Sequence, residues 1–124
     1  MRIAFAVFLF VHGFAHGVGF LTITGIVEDE SSQGYAFLLE GKEPGDPIMW
    51  LFAVVWLACL GGFVASGVGV LQEATWALPV LIAATAVSTI LSLMWVRQAP
   101  FGIVANVVVI AALLVPAASD RVLP

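Results

Sequence analysis

The sequence predicts an all-α integral membrane protein, an antiparallel four-helix bundle. Three observations predict it. Four uncharged apolar runs, at about 3–24, 48–71, 74–96 and 101–119, fill most of the 124 residues. Each reaches or approaches the ~20 residues that a helix needs to cross ~30 Å of hydrocarbon. Charged residues make up only 10% of the chain, against about 25% in soluble domains. Backbone N–H and C=O groups cannot stay unpaired in lipid, so such runs form helices there. The length suits one domain.

The first helix is expected over about 3–24, with Gly25 as its stop. Arg2 and the apolar stretch after it have the layout of a signal peptide. The run outlasts the roughly 7–15 residues of such an h-region, and no A-x-A-like cleavage site follows, so an uncleaved helix is expected. The acidic loop 25–46 comes next, opening with Glu28-Asp29-Glu30 and closing with Gly41-Lys42-Glu43-Pro44-Gly45-Asp46. Within it, Ser31 or Ser32 suits the cap of a short helix ended by Gly41. Tyr35, Phe37, Leu38 and Leu39 give that segment an apolar side for an interfacial position.

The second helix is expected over about 48–71, with the Asp46 side chain as N-cap and Pro47 at the first helical position. The tight connection 72–75 makes the third helix, about 76–96, its antiparallel neighbour. Pro79 falls in the first turns of that helix and is a candidate bend. Pro100 begins the fourth helix, about 100–118, which fades at Pro116. Trp50, Trp76 and Trp95 lie near helix ends, where indoles favour the membrane interface. An even number of spans puts both termini on one side. The positive-inside count ties, with Arg2 and Arg121 against Lys42 and Arg97. Arg2 beside the first helix favours cytoplasmic termini, and the expected location is a bacterial inner membrane.

Net charge is −4 with four basic residues, so no basic patch exists to neutralise phosphates, which excludes a nucleic-acid partner. The expected partners are the lipid bilayer and other membrane subunits. Cys59 is the only cysteine and cannot form an intrachain disulfide. No catalytic set appears: the apolar runs carry no Asp, Glu or Lys, and Ser66 and Ser88 have no carboxylate to orient a histidine.

His12 and His16 are the candidate site residues. Four apart, they project from one helix face near the bilayer midplane, where ionisable groups usually face the bundle interior with a partner. Three readings stand. Neutral imidazoles hydrogen-bond across helices and fasten the bundle. The pair binds a cofactor: one metal ion, with Cys59 as a candidate third ligand, or a haem or chlorin through one ring. Or the pair handles protons. Both rings cannot serve one haem, since axial ligands approach from opposite faces. Gly13, Gly17 and Gly19 let another helix come close. Ala58, Gly62, Ser66 and Gly69 form a small-residue packing stripe. Thr85, Ser88, Thr89 and Ser92 share one side of the third helix. Asn106, an amide in an apolar run, needs a partner; Ser92 or Thr89 is expected.

The segments His12-Gly-Phe-Ala-His16-Gly-Val-Gly19-Phe20 and Trp95-Val-Arg-Gln-Ala99-Pro-Phe101-Gly102-Ile-Val-Ala105-Asn106, with Met49-Trp50-Leu51, resemble an uncharacterised family of small bacterial four-helix integral membrane proteins. The resemblance implies an H-G-x-x-H-x-x-G-F motif on His12, Gly13, His16, Gly19 and Phe20. It implies an F-G-x-x-A-N motif on Phe101, Gly102, Ala105 and Asn106. A weaker similarity is to DoxX-like four-helix proteins, some of which are associated with quinone-linked oxidation. The function expected first is a non-catalytic subunit or assembly factor of a larger membrane complex. A haem-, chlorin- or metal-binding redox protein using His12 and His16 comes second, and a small transporter third.

Overall fold

The computed structural model describes residues 1–28 and 39–115. The short interfacial segment expected at 31–40 falls almost wholly outside them, as does the tail with Arg121. The described residues form four helices and no strand: α1 (Arg2–Ile23), α2 (Pro47–Leu71), α3 (Ala77–Met94) and α4 (Pro100–Leu114). Three of them, α1 to α3, are long and apolar enough to cross a membrane. Apart from Arg2 at the head of α1, the helices carry no Asp, Glu, Lys or Arg.

The helix ends follow local chemistry. Gly25 leaves α1 at φ +74, the left-handed conformation that glycine adopts without a Cβ penalty. The loop returns to this end: the Gly45 N–H donates to the Ile23 carbonyl at 3.0 Å, satisfying one of the carbonyls a helix leaves open. Asp46 sits at the N-cap position of α2 with Pro47 next, but its side chain makes no cap bond. It turns back to accept the Glu43 N–H at 3.1 Å, so the capping expected of it is replaced by closure of the preceding turn. Pro79 is the third residue of α3, in the first turn, where an N–H has no intrahelical acceptor to lose.

α4 ends at Leu114, short of the expected residue 118. Pro116 drives the residue before it out of the helical region, and Val115 is extended at φ −92, ψ 108. At 15 residues, α4 is about 22 Å long, less than the hydrocarbon thickness.

Neighbouring helices run antiparallel. Along α1–α2, Gly19 meets Trp56, Gly13 meets Phe63, and Gly67 meets Phe10. Arg2 pairs with Glu73 where α1 begins and α2 ends. Along α2–α3, Gly62 meets Ala84 and Gly69 meets Ala77. These glycines bring the backbones close enough for dispersion and polar contacts to replace the hydrophobic drive that lipid does not supply. Ala58 is exposed, so the small stripe of α2 reduces to Gly62, Ser66 and Gly69. α1 and α4 touch over a much shorter length than the other neighbours, which leaves the bundle open along that seam.

Two outcomes follow from this packing. With Cys59 replaced by alanine, single cysteines at Lys42 and Arg97 should react with a membrane-impermeant thiol reagent from one side, and a cysteine at Glu73 from the other. Labelling of all three from one side would contradict α1–α3 as successive spans. A Cβ on Gly62 would lie 2.9 Å from the Ala84 Cβ, an atom fixed to the backbone. Gly62→Ala should therefore destabilise the bundle by roughly 1–3 kcal/mol, read as a shift in a denaturing-detergent titration.

Candidate functional site

The polar residues of the helices converge on one place. His12 and His16 lie one turn apart on α1, buried at 4% and 2% exposure, and their Cβ spacing puts them on the face that meets the bundle. α3 brings Ser88 and Ser92, and α4 brings Asn106, all buried. His12 Nε2 is 2.9 Å from Asn106 Oδ1. Asn106 Nδ2 is 2.9 Å from Ser88 Oγ. Ser88 Oγ is 2.8 Å from His16 Nε2, and His16 Nδ1 is 2.9 Å from the His12 carbonyl.

The chemistry of the partners assigns the protons. A carbonyl only accepts, so His16 Nδ1–H donates to it. A neutral His16 then accepts at Nε2, and the Ser88 hydroxyl donates there. The Ser88 oxygen accepts from the Asn106 N–H, and the Asn106 carbonyl accepts from His12 Nε2–H. The four bonds close a ring that joins α1, α3 and α4, with each member both donor and acceptor and no net charge. Ser88 Oγ also lies 3.1 Å from Asn106 Oδ1. Turning its proton there leaves His16 Nε2 without a donor unless the imidazole takes up a second proton, which would put a charge in the apolar interior.

On α3 the nearer partner of Asn106 is Ser88; the expected Ser92 is a second, longer partner, and Thr89 bonds within its own helix. Ser92 is 3.5 Å away, at the limit of a hydrogen bond. Thr89 donates to the Thr85 carbonyl and Thr85 to that of Leu81, each at 2.7 Å. The cause is register. Ser88 and Asn106 are each nine residues from Arg97 in the α3–α4 turn, so antiparallel helices place them opposite each other. Ser92 faces Gly102, whose absent Cβ would lie 2.8 Å from its hydroxyl.

Aromatic rings pack the ring of hydrogen bonds from the α2 side. Phe63 lies 4.4 Å from His12 and 5.4 Å from His16, centroid to centroid, and Trp56 lies 5.2 Å from His16. Trp95 packs edge-on to Trp56 at 6.0 Å and to Phe52 at 5.3 Å. Trp95 is thus buried, at 3% exposure, while Trp50 and Trp76 are about half-exposed at 45% and 44%. The α3–α4 turn folds Trp95 inward over Trp56, whereas the other two indoles reach the surface.

Beside this cluster lies a cavity of about 440 Å³ in the α1–α4 seam, with His12, His16, Trp56, Ser92 and Trp95 in its wall. No three His, Cys, Asp or Glu side chains among the described residues come together to hold a metal ion, and Cys59 is buried apart from such a set. Trp56 carried no functional signal in the sequence, and Trp95 entered there only as a helix-end indole and within a segment of the family resemblance. Ser88 was visible there as one of four hydroxyl residues on a face and as a serine with no carboxylate to complete a triad.

Set against family models, curated proteins and solved structures, the chain has no match in any of the three comparisons.

Asn106→Leu removes both an acceptor and a donor from the ring, leaving His12 and Ser88 with buried unpaired groups. It should cost roughly 1–3 kcal/mol. Ser92→Ala, which removes only the long contact, should cost no more than about 0.6 kcal/mol, the average for interhelical polar bonds in a membrane protein. Unfolding titrations in mixed micelles compare the two; equal losses would contradict the ring.

Proposed function

We propose that this protein is a non-catalytic subunit or stabilising factor of a larger assembly in the membrane. The observation that carries this reading is the closed ring of His12, Asn106, Ser88 and His16. It spends the intramembrane imidazoles on holding three helices together, and its neutral members include no activated nucleophile or charged acid–base pair. The outer surface is apolar: Val7, Val11, Phe14 and Val18 form an exposed stripe on α1, suited to lipid or to a partner helix. A bacterial inner membrane with cytoplasmic termini remains the proposed setting.

The second reading, a haem-, chlorin- or metal-binding protein, draws on two features. His12 and His16 border the cavity, and His12 Nδ1 lies outside the ring of hydrogen bonds, which engages the other three imidazole nitrogens. Ligation by either Nε2 would require displacing Asn106 or Ser88.

Photo-crosslinkers placed at Phe14 and Leu51 in native membranes should capture a defined membrane protein, and removal of this chain should lower the amount of that protein's complex. A chain that stays uncrosslinked and whose loss changes no complex would overturn the subunit reading. Protein isolated without chelator that shows a visible absorption band or stoichiometric metal, lost in His12→Gln with His16→Gln, would establish the second reading instead.

A further inference from the structure

The ring of hydrogen bonds fixes the character of the one imidazole nitrogen it leaves over. The His12 carbonyl can only accept, so His16 Nδ1–H donates to it and His16 Nε2 is the acceptor. Ser88 then donates to His16, Asn106 to Ser88, and His12 Nε2–H to Asn106. A neutral imidazole carries one N–H, so His12 Nδ1 holds a bare lone pair. It is an acceptor by consequence of a bond made on the far side of the ring.

This acceptor is unpaired and within reach. Nδ1 makes no hydrogen bond to the described residues, whereas Nε2 of the same ring does. Nor is it sealed off. Among the described residues the enclosed side-chain nitrogens that lack a partner belong to Arg2, Trp56 and Trp95; His12 Nδ1 lacks one and is not enclosed, so it keeps accessible surface. The other sides of the imidazole are taken, by Asn106 at Nε2 and by Phe8, Phe63 and His16 around the ring. His12 lines the α1–α4 cavity, and that is where this surface opens.

The cavity suits a small hydrophobic molecule. Its volume of about 440 Å³ lies in the range of small-molecule sites, which are mostly apolar with a few placed polar groups. Val11, Val18 and Phe101 border it and are exposed at 65%, 61% and 86%. The opening is therefore on the outer, apolar surface of the bundle, within reach of a molecule dissolved in the bilayer.

We infer that this cavity is a binding site for a neutral lipophilic alcohol, whose hydroxyl donates a hydrogen bond to His12 Nδ1 while its hydrocarbon part fills the apolar seam. A ketone or ester brings no donor, and an acyl tail brings no polar group at all; both leave the lone pair unmatched. A charged donor is disfavoured, because the described wall offers no countercharge. This site is independent of whether the chain works within an assembly.

The probe is a tritiated benzyl alcohol carrying a trifluoromethyl-diazirine, which inserts into nearby bonds on irradiation. With the full chain in lipid nanodiscs, labelling should saturate and map to α1 and α4 around the cavity. At equal concentration in the bilayer, dicyclohexylmethanol should compete roughly three- to tenfold better than dicyclohexylmethane, the factor one hydrogen bond supports. Dicyclohexyl ketone, of the same shape but without a donor, should do no better than the hydrocarbon. Ala105→Leu, which adds bulk to the wall, should weaken all three. Nitrogen NMR of the chain carrying isotope-labelled histidine reads the acceptor without altering the ring. The two histidines should show opposite tautomers, with the bare Nδ1 that of His12. Dicyclohexylmethanol should shift that signal toward the protonated range, and dicyclohexylmethane should leave it in place. A protonated Nδ1 on both histidines, or a bare Nδ1 that does not respond to the alcohol, would overturn the assignment of His12. Equal competition by alcohol and hydrocarbon would overturn the donor requirement and mark the cavity as a place for lipid tails. Labelling that does not saturate, or that spreads over lipid-facing positions such as Val7 and Leu51, would overturn the site altogether.

Discussion

The constraint on which this structure depends is the satisfaction of polar groups where there is no water. Hydrocarbon gives a buried imidazole, hydroxyl or amide nothing to bond with, so each must find its partner in the protein. His12, Asn106, Ser88 and His16 do so in a single closed ring. That ring bridges α1, α3 and α4, whereas the glycine and alanine contacts tie α1 to α2 and α2 to α3. Without it, α4 would be held mainly by its short turn and a modest contact with α3, since only Asn106 and Val109 of that helix are buried.

The same constraint shapes the surroundings. Glycines on α1 and α2 allow close approach and admit the large rings: Trp56 lies over Gly19, and Phe10 over Gly67. The aromatic rings then pack the imidazoles from the α2 side, so the hydrogen bonds sit in a rigid apolar frame. Low dielectric strengthens such bonds and makes each of them costly to lose. The open α1–α4 seam is the counterpart of this arrangement. The His12–Asn106 bond joins α1 and α4, and small residues such as Gly102 and Ala105 line the gap beside it.

Much of this was legible in the chain. The apolar runs announced the helices because hydrocarbon length and backbone pairing leave few other structures. Gly25 as a stop and Pro47 and Pro100 as first helical residues were readable from local backbone chemistry, which needs no tertiary context. The shared face of His12 and His16 followed from helical period alone. The premature end of α4 was half-legible: Pro116 marked the boundary, but the extended Val115 before it is what shortens the helix.

What composition and period determined, then, is four helices, their order, and the fact that a few polar groups must meet inside them. Which groups meet was decided by the tertiary structure, because a register is a relation between two helices and no single stretch contains it. The α3–α4 turn set Ser88 closer to Asn106 than Ser92. The inward fold of that turn buried Trp95 against Trp56 and Phe52 and made it part of the cavity wall. The cavity itself exists only because α1 and α4, distant in sequence, touch over a short length beside the His12–Asn106 bond, a consequence of packing that no local pattern encodes.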